Sequence, residues 1–478
     1  MIQLKCDIVV VGGGASGMAA AASASESGAS VIVLEKNASV GGNGLFPRGI
    51  FAVGSFLQKR KLVNTDKDEV FSACMEYSHW KIDPDLVRTL IEKSGDTIDW
   101  LHDMGVDFTD VVHHLPGQNP EVFHITEKDL NVGKTVIKIL HDYCKDKNVE
   151  IQTGCTGSSL ILSPDGIVAG VLAKNRDGED VQVEASRVIL CTGGFAGNQD
   201  MISKFYPKYK PDEVTPGPGM RHNGEGLKMA VEAGAAIEGN FAMEMAAPKI
   251  RGYAPLNLLL GKPWNVWINR KGKRFANEGI VYNFSLAANA CLRQPKAQMW
   301  VVFDERIKNF TLEEGRDIVE LIHFPPDSEQ KLDDTILKAI DNGYLIKSDN
   351  LEDLAAFIGC PLESLTSSIE EYNKFCDSGR DAKYAKNIKN LKKLNNPPYY
   401  AIKAGVDMLI THGGIRVDDN FRALNENLEP VKNLYVAGVD FGGVDADVYN
   451  VTMSGHGFGF ALNSGRIAGE NAVATLKI

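Results

Sequence analysis

The sequence predicts an α/β protein that opens on a Rossmann-like strand–helix–strand unit. Three observations predict it. Ile8 to Val11 is a continuous apolar run, as in a parallel strand buried on both faces. Gly12, Gly14 and Gly17 follow at G-x-G-x-x-G spacing. A small-residue helix, Met18 to Ser27, ends at Gly28 and leads to a second strand, Ser30 to Leu34, with Glu35 at its end.

Each residue type has a physical task. The glycines permit a tight turn and let backbone N–H groups approach a pyrophosphate, whose charge the helix N-terminus favours. Glu35, eighteen residues after Gly17, stands where a carboxylate accepts both ribose hydroxyls. An acid there disfavours a 2′-phosphate, so FAD or NAD fits better than NADP. Further glycine turns decide between the two. "NASVGGNG" (Asn37 to Gly44) follows the acid, and "VILCTGGFAGN" (Val188 to Asn198) reads as a strand running into a Gly-Gly turn. "NLYVAGVDFGGV" (Asn433 to Val444) is a strand ending at Gly438 and Asp440, and "NSGRIAGENA" (Asn463 to Ala472) begins a helix. Several glycine turns after strands suit a long ligand such as FAD, whereas NAD usually needs only the first motif. The candidate cofactor-binding residues are Gly12, Gly14, Ala15, Ser16, Gly17, Glu35, Lys36, Gly41, Gly42, Asn43, Gly44, Thr192, Gly193, Gly194, Gly438 and Asp440.

Composition narrows the classes. The 478 residues suffice for two or three domains, and 44% hydrophobic with 24% charged residues is ordinary for a globular chain. The net charge of -11, with no basic block, argues against nucleic acid and gives no membrane-surface signal. Eight single cysteines without a C-x-x-C pair argue against zinc ribbons, dithiol sites and c-type haem, and fit a reducing compartment. No apolar run reaches the ~18 residues of a membrane span. Asp7 interrupts any signal-peptide layout, so a cytoplasmic location is expected.

With these motifs the chain resembles the fumarate reductase and succinate dehydrogenase flavoprotein superfamily, in particular its soluble branch with 3-ketosteroid dehydrogenases and urocanate-type reductases. The resemblance spans nearly the whole chain. Besides Gly12, Gly14, Gly17 and Glu35 it rests on "GGN" at Gly41 to Asn43, "TGG" at Thr192 to Gly194 and "NGEGLKMAVEAGA" at Asn223 to Ala235. It also rests on "NRKGKRFANE" at Asn269 to Glu278, "AGVDFGG" and "SGRIAGE". It implies a Rossmann-like FAD-binding domain of the GR2-type flavoproteins with an inserted α+β capping domain. The FAD domain would comprise residues 1–243 and 411–478, and the cap residues 244–410. Gly14 would approach the pyrophosphate, Glu35 the adenosine ribose, and Asp440 the ribityl or phosphate oxygens.

Departures from the family pattern carry the function. Covalent relatives attach flavin through a histidine near the position of Asn43, so non-covalent FAD is expected here. Where fumarate reductases place a proton-donating arginine, four residues after the "NE" of "RFxNE", this chain has Tyr282. The "H-T-x-G-G" string becomes "ITHGG", with His412 displaced; "MEMAAP" (Met243 to Pro248) has no histidine; "VYNVTMSGHGFGFAL" has no arginine. Loss of these dicarboxylate clamps argues against fumarate. Ketosteroid dehydrogenases carry a tyrosine at the Tyr282 position and a second in the C-terminal loop, here Tyr449.

The expected enzyme therefore reduces, or in reverse introduces, a C=C bond conjugated to a carbonyl, possibly in a ketosteroid-like enone. Tyr282 is expected as proton donor or acceptor, Tyr449 as the second tyrosine, Gly455 as a backbone donor to the substrate carbonyl, and His456 as a substrate ligand from a glycine-rich loop. His412 is a further candidate for contact with flavin or substrate, and Arg221 and His222 are candidates for the flavin edge. An unsaturated carboxylate, anchored by Lys249 or Arg251, is the alternative; an electron-transfer flavoprotein subunit is another. Electrons would come from an external partner: reduced flavin, NAD(P)H or a redox protein.

Overall fold

The structure, a computed structural model, describes residues 1–115, 121–126, 131–207, 209–210, 214–216, 222–323 and 327–477. Strand β1 (Ile2–Val11), helix α1 (Ala15–Glu26) and strand β2 (Val31–Glu35) form the opening unit. β1 and β2 pair in parallel, Ile8 opposite Val31 and Val11 opposite Leu34. β1 begins well before the apolar run, because Ile2 to Cys6 pair with Val181 to Ala185 of the strand Asp180–Leu190. Tertiary pairing extends a segment whose outer residues are exposed.

These strands lie inside an eight-stranded sheet. Its order is Arg422–Leu424, Pro430–Val436, Asp180–Leu190, β1, β2 and Glu150–Thr153, with Thr156–Leu162 and Val168–Lys174 attached beside Asp180–Leu190. Pro430–Val436 runs parallel to Asp180–Leu190, so the turns after β1, after Leu190 and after Val436 open at one end of the sheet. Ligands of open parallel sheets bind at that end.

Every residue of α1 from Ala15 to Ser25 is buried. Its partner is the C-terminal helix, His456–Ala474. An added Cβ at Gly465 would sit 2.1 Å from the Ser16 carbonyl oxygen, and one at Gly469 2.5 Å from that of Ala20. Glycine and alanine thus let two helix backbones touch. This helix starts seven residues before the segment that reads as helical, so His456 is its first residue and not part of a loop. Glycines at 457 and 459 weaken the local signal, yet Gly459 is needed where a Cβ would lie 2.7 Å from the Phe51 carbonyl oxygen.

A second, six-stranded sheet builds the cap. Its long strand Tyr399–His412 pairs with Met299–Asp304, Leu345–Ser348, Ala242–Lys249 and Val214–Pro216; Val266–Ile268 follows on Met299–Asp304. Residues 243/244 and 410/411, the expected boundaries, face each other here, with Glu244 opposite Ile410. The cap core holds a buried ion cluster from the "RFANE" motif. Arg274 donates from Nε to Glu278 Oε1 and from Nη2 to Glu278 Oε2, both at 2.8 Å, and to Asp381 Oδ2 at 2.7 Å. Lys386 Nζ lies 3.2 Å from Glu278 Oε2. Glu278 also accepts from the Trp267 backbone N–H, so the motif shapes the cap loop.

Among the described residues no helix is long and apolar enough to cross a membrane, and no group of His, Cys, Asp and Glu could hold a metal ion. The helix contact yields a test. Gly465→Ala forces a methyl group onto a backbone oxygen and is expected to cost about 1–3 kcal/mol by overpacking. Gly239→Ala, with nothing within 4 Å of the new methyl, should leave stability near wild type. Urea unfolding of the two variants checks the difference.

Candidate active site

A cavity of about 600 Å³ runs from the β1–α1 turn to the seam between the two sheets. At its inner end α1 begins at Gly14 without any side-chain cap, so the first backbone N–H groups of the helix are available to an anion. Gly14, Ala15 and Ser16 form this wall, and an added Cβ at Gly14 would meet only the Gly41 carbonyl oxygen, at 3.9 Å. Gly12 and Gly17 have the opposite role: Cβ atoms there would fall 2.2 Å from the Cys191 oxygen and 1.8 Å from the Gly12 oxygen. These two shape the turn, and Gly14 gives access to it.

Glu35 ends β2 at the cavity wall. Its Oε2 accepts from the Gly13 N–H at 2.8 Å and its Oε1 from the Asn37 N–H at 2.7 Å. A carboxylate has about four acceptor sites, so capacity for hydroxyls remains. Lys36 pairs with Glu225 at 2.9 Å. Burial opposes ionisation of Glu225, but Lys36 outweighs it and holds the carboxyl below its usual range. Burial also pushes His222 down to about 4, leaving it neutral on the wall. Arg221 lies outside the described residues.

Gly12, Gly14, Ala15, Ser16, Glu35, Lys36, Gly42, Asn43, Gly44, Thr192, Gly193 and Gly438 all line the cavity. Gly17, Gly41, Gly194 and Asp440 stand behind it. Gly41 donates its N–H to the Gly13 oxygen at 2.7 Å. The expectation for Asp440 changes most. Its carboxylate accepts from the Thr192 N–H, from Thr192 Oγ1 at 2.9 Å and from the Gly194 N–H at 2.7 Å, fully buried. It braces the second glycine turn from behind the cavity wall, where Asp440 is not among the lining residues.

At the outer end the two sheets meet around an apolar patch. Leu115, Val319, Tyr449 and Val451 cluster there with Phe284 packed against them, and all five line the cavity. Lys249, Glu244, His114 and His323 are its polar neighbours. Gly455 is on the wall as the N-cap residue of the C-terminal helix, at φ +84°.

The two expected tyrosines part company. Tyr449 lines the cavity; its ring stacks on His456 at 4.2 Å between centroids, and its hydroxyl accepts from the Gly457 N–H at 3.3 Å. Tyr282 is not among the lining residues. Its hydroxyl donates to Asp317 Oδ2 at 3.3 Å, inside a cap cluster where Lys262 bonds Glu320 at 2.6 Å. Burial, Asp317 and Glu320 all raise the Tyr282 hydroxyl above its ordinary range, and its proton is directed at Asp317 rather than at the cavity. His456 is turned inward as well: Nε2 faces Asp445 at 3.0 Å and Nδ1 the Met453 oxygen at 3.0 Å.

Asp445 carries no sequence signal, because neither aspartate of "GGVDADVYN" falls in a recognisable pattern. Phe284 and Val319 are likewise anonymous hydrophobics until the cap closes over them.

The profile of the FAD binding domain family matches residues 7–447. The chain belongs to the FAD binding domain family. Vinyl phenol reductase of Lactiplantibacillus plantarum is 32% identical over 98% of this chain and 96% of its own length. Fumarate reductase (cytochrome) of Shewanella frigidimarina is 30% identical, over 98% of this chain and 77% of that protein. The structure of a 3-ketosteroid-delta4-(5alpha)-dehydrogenase from Rhodococcus jostii RHA1 shares the fold with a TM-score of 0.76, at 24% identity, over 99% of this chain and 98% of that one. The protein is an FAD-dependent oxidoreductase.

The residues present fit FAD: open helix N–H donors at Gly14, an acid at the end of β2, and glycine turns along the cavity. Gly14→Val should therefore fold, since nothing crowds its Cβ inside the protein, yet purify without flavin. The ratio of flavin to protein absorbance, beside a wild-type circular dichroism spectrum, checks this. Acid treatment of wild type is expected to release FAD into the supernatant, since Asn43 offers no ring nitrogen for attachment.

Proposed function

We propose that this enzyme reduces a C=C bond conjugated to a carbonyl or hydroxyaryl group in a small, largely apolar substrate, with Tyr449 as proton donor. One observation carries this reading: the outer end of the cavity is an apolar patch with a tyrosine in it. Fumarate would place two carboxylates there, and each needs cationic partners. A ring or enone instead packs between Phe284 and Val319 on the cap and Val451 and Leu115 on the FAD domain. The similarity to a protein named vinyl phenol reductase supports the same substrate class.

Reduced FAD, when bound, supplies a hydride to one carbon of the double bond. The neighbouring carbon must then gain a proton. Burial, with Glu244 and Asp445, raises the Tyr449 hydroxyl well above 10, so it stays protonated at neutral pH and is a donor rather than a base. Gly455, beside it on the wall, is proposed to give its backbone N–H to the substrate oxygen, where negative charge develops. Electrons reach the flavin from an external donor: reduced flavin, NAD(P)H or a redox protein.

Lys249 favours a second reading. It lines the same end of the cavity, and a carboxylate tail on an unsaturated acid would meet it. Arg251 instead pairs with Asp407 at 3.2 Å.

The test is flavin reoxidation after anaerobic photoreduction. 4-Vinylphenol and simple enones are expected to reoxidise the enzyme faster than fumarate; fumarate matching the best of them would sink the proposal. Tyr449→Phe should keep its flavin and slow reoxidation by roughly 10²–10⁴-fold, the scale of a positioned general acid. Tyr282→Phe should stay near the wild-type rate. The reverse ranking would return the proton donor to the cap.

A further inference from the structure

Behind Tyr449 lies a buried group that the reaction as described leaves unused. Asp445 Oδ2 is 3.2 Å from His412 Nδ1 and 3.0 Å from His456 Nε2, and Asp445 Oδ1 accepts from the Asn450 N–H at 3.0 Å. All three side chains are at most 4% exposed. The His412 ring lies 5.0 Å from that of Tyr449. A Cβ added at Gly457 would be 3.3 Å from the Tyr449 hydroxyl oxygen and 3.6 Å from His412 Cε1, so the absence of a side chain there leaves the two rings facing one small space. His412 Nε2 is buried without a hydrogen-bond partner among the described residues, and Glu244 Oε2, on the cavity wall, is 3.8 Å away.

Both ring nitrogens of His456 face oxygens, the Met453 carbonyl and the Asp445 carboxylate, which fixes the orientation of the ring.

We propose that Asp445 is a positioning residue of the reaction: it ties His412 and His456 together behind the cavity wall, so that His412 resupplies the proton that Tyr449 gives to substrate. This rests on Tyr449 as the donor. The step balances. The substrate carbon takes the Tyr449 proton, while the hydride and its electron pair come from reduced FAD. The tyrosinate takes a proton from the His412 imidazolium through a solvent molecule in the space beside Gly457, since no direct hydrogen bond joins the two side chains, and neutral His412 regains one from solvent on the Glu244 side. Asp445 remains a carboxylate throughout.

The charges agree with this order. Burial works against a charged His412, but Asp445 and then Glu244 outweigh it and raise its proton affinity above the ordinary value. Burial likewise works against the Asp445 carboxylate, and His456 and His412 outweigh it. The other titratable groups facing this cluster stay neutral: burial first, then Asp445, pushes Cys74 up to about 12, burial raises Tyr77, and burial with Tyr209 and Asp445 raises Tyr206, whose hydroxyl donates to the His412 carbonyl. A histidine with raised proton affinity keeps its proton below its own midpoint and loses it as pH rises. Reduction should therefore fail on the alkaline side, and removing the Asp445 charge should move that failure to lower pH.

The experiment compares wild type, Asp445→Asn, Asp445→Glu and His412→Gln as holoenzymes. Histidine Cε1 NMR, with the His412 signal assigned by its loss in His412→Gln, reads the His412 midpoint without any substrate. Asp445→Asn is expected to lower it by about one pH unit or more. Multiple-turnover reduction of 4-vinylphenol with excess reduced free flavin as donor, followed against pH, should show the alkaline limb moving down with it, roughly a 10-fold loss per pH unit on that limb. Near-wild-type rates should persist at lower pH, and Asp445→Glu should restore much of the profile. An unmoved His412 midpoint overturns the proposal, as does a midpoint that moves while the alkaline limb stays. If Asp445→Asn loses its flavin or fold, His412→Gln decides: an alkaline limb identical to wild type overturns the proposal, and a lost or displaced limb supports it. A wild-type enzyme that no C=C compound reoxidises would overturn the substrate reading, while the NMR midpoint still judges the Asp445–His412 link.

Discussion

The contact between α1 and the C-terminal helix underlies the rest of the molecule. Gly465 against the Ser16 backbone and Gly469 against the Ala20 backbone and the Ser23 hydroxyl let the two helices close. That contact joins the last turn-and-helix segment of the chain to the first. It sets Gly438, Tyr449 and Gly455 along the same cavity as the Gly14 turn. Were the helices held apart by one methyl layer, the glycine turn would still form, but the wall opposite it would move away.

From this base the cavity acquires two unlike ends. Its inner end is made of backbone: helix N–H groups, glycine turns, and carboxylates whose hydrogen bonds are mostly spent on main-chain donors. Its outer end is made of side chains from loops and helices, from residues more than three hundred positions apart such as Leu115 and Val451. The first kind of wall suits a cofactor of fixed shape. The second kind decides which substrate fits, and here it is largely apolar with buried charge held one layer back.

Buried charge recurs in this fold with different meanings. Arg274, Glu278, Asp381 and Lys386 pair with one another inside the cap, and such a network fixes a loop shape more than it adds stability. The Asp445 cluster differs because it lies directly behind a cavity residue.

The sequence by itself determined the cofactor half of this protein. G-x-G-x-x-G, Glu35 and the later glycine turns are local devices: each works through its own backbone, so spacing reveals it. The "RFANE" motif was legible as a loop brace for the same reason. Tyr282, Tyr449, His412 and His456 were legible only as candidates, because proximity to the reacting atoms is a property of how the cap packs. The structure turned Tyr282 toward Asp317 and brought Tyr449 to the cavity. Asp440 was visible, yet its task of bracing the Thr192–Gly194 turn was not, since the donors lie some 250 positions away. Asp445 and the apolar lining had no sequence signal at all. A lone aspartate or valine acquires chemistry only from what the fold places against it, and that was decided by the tertiary structure alone.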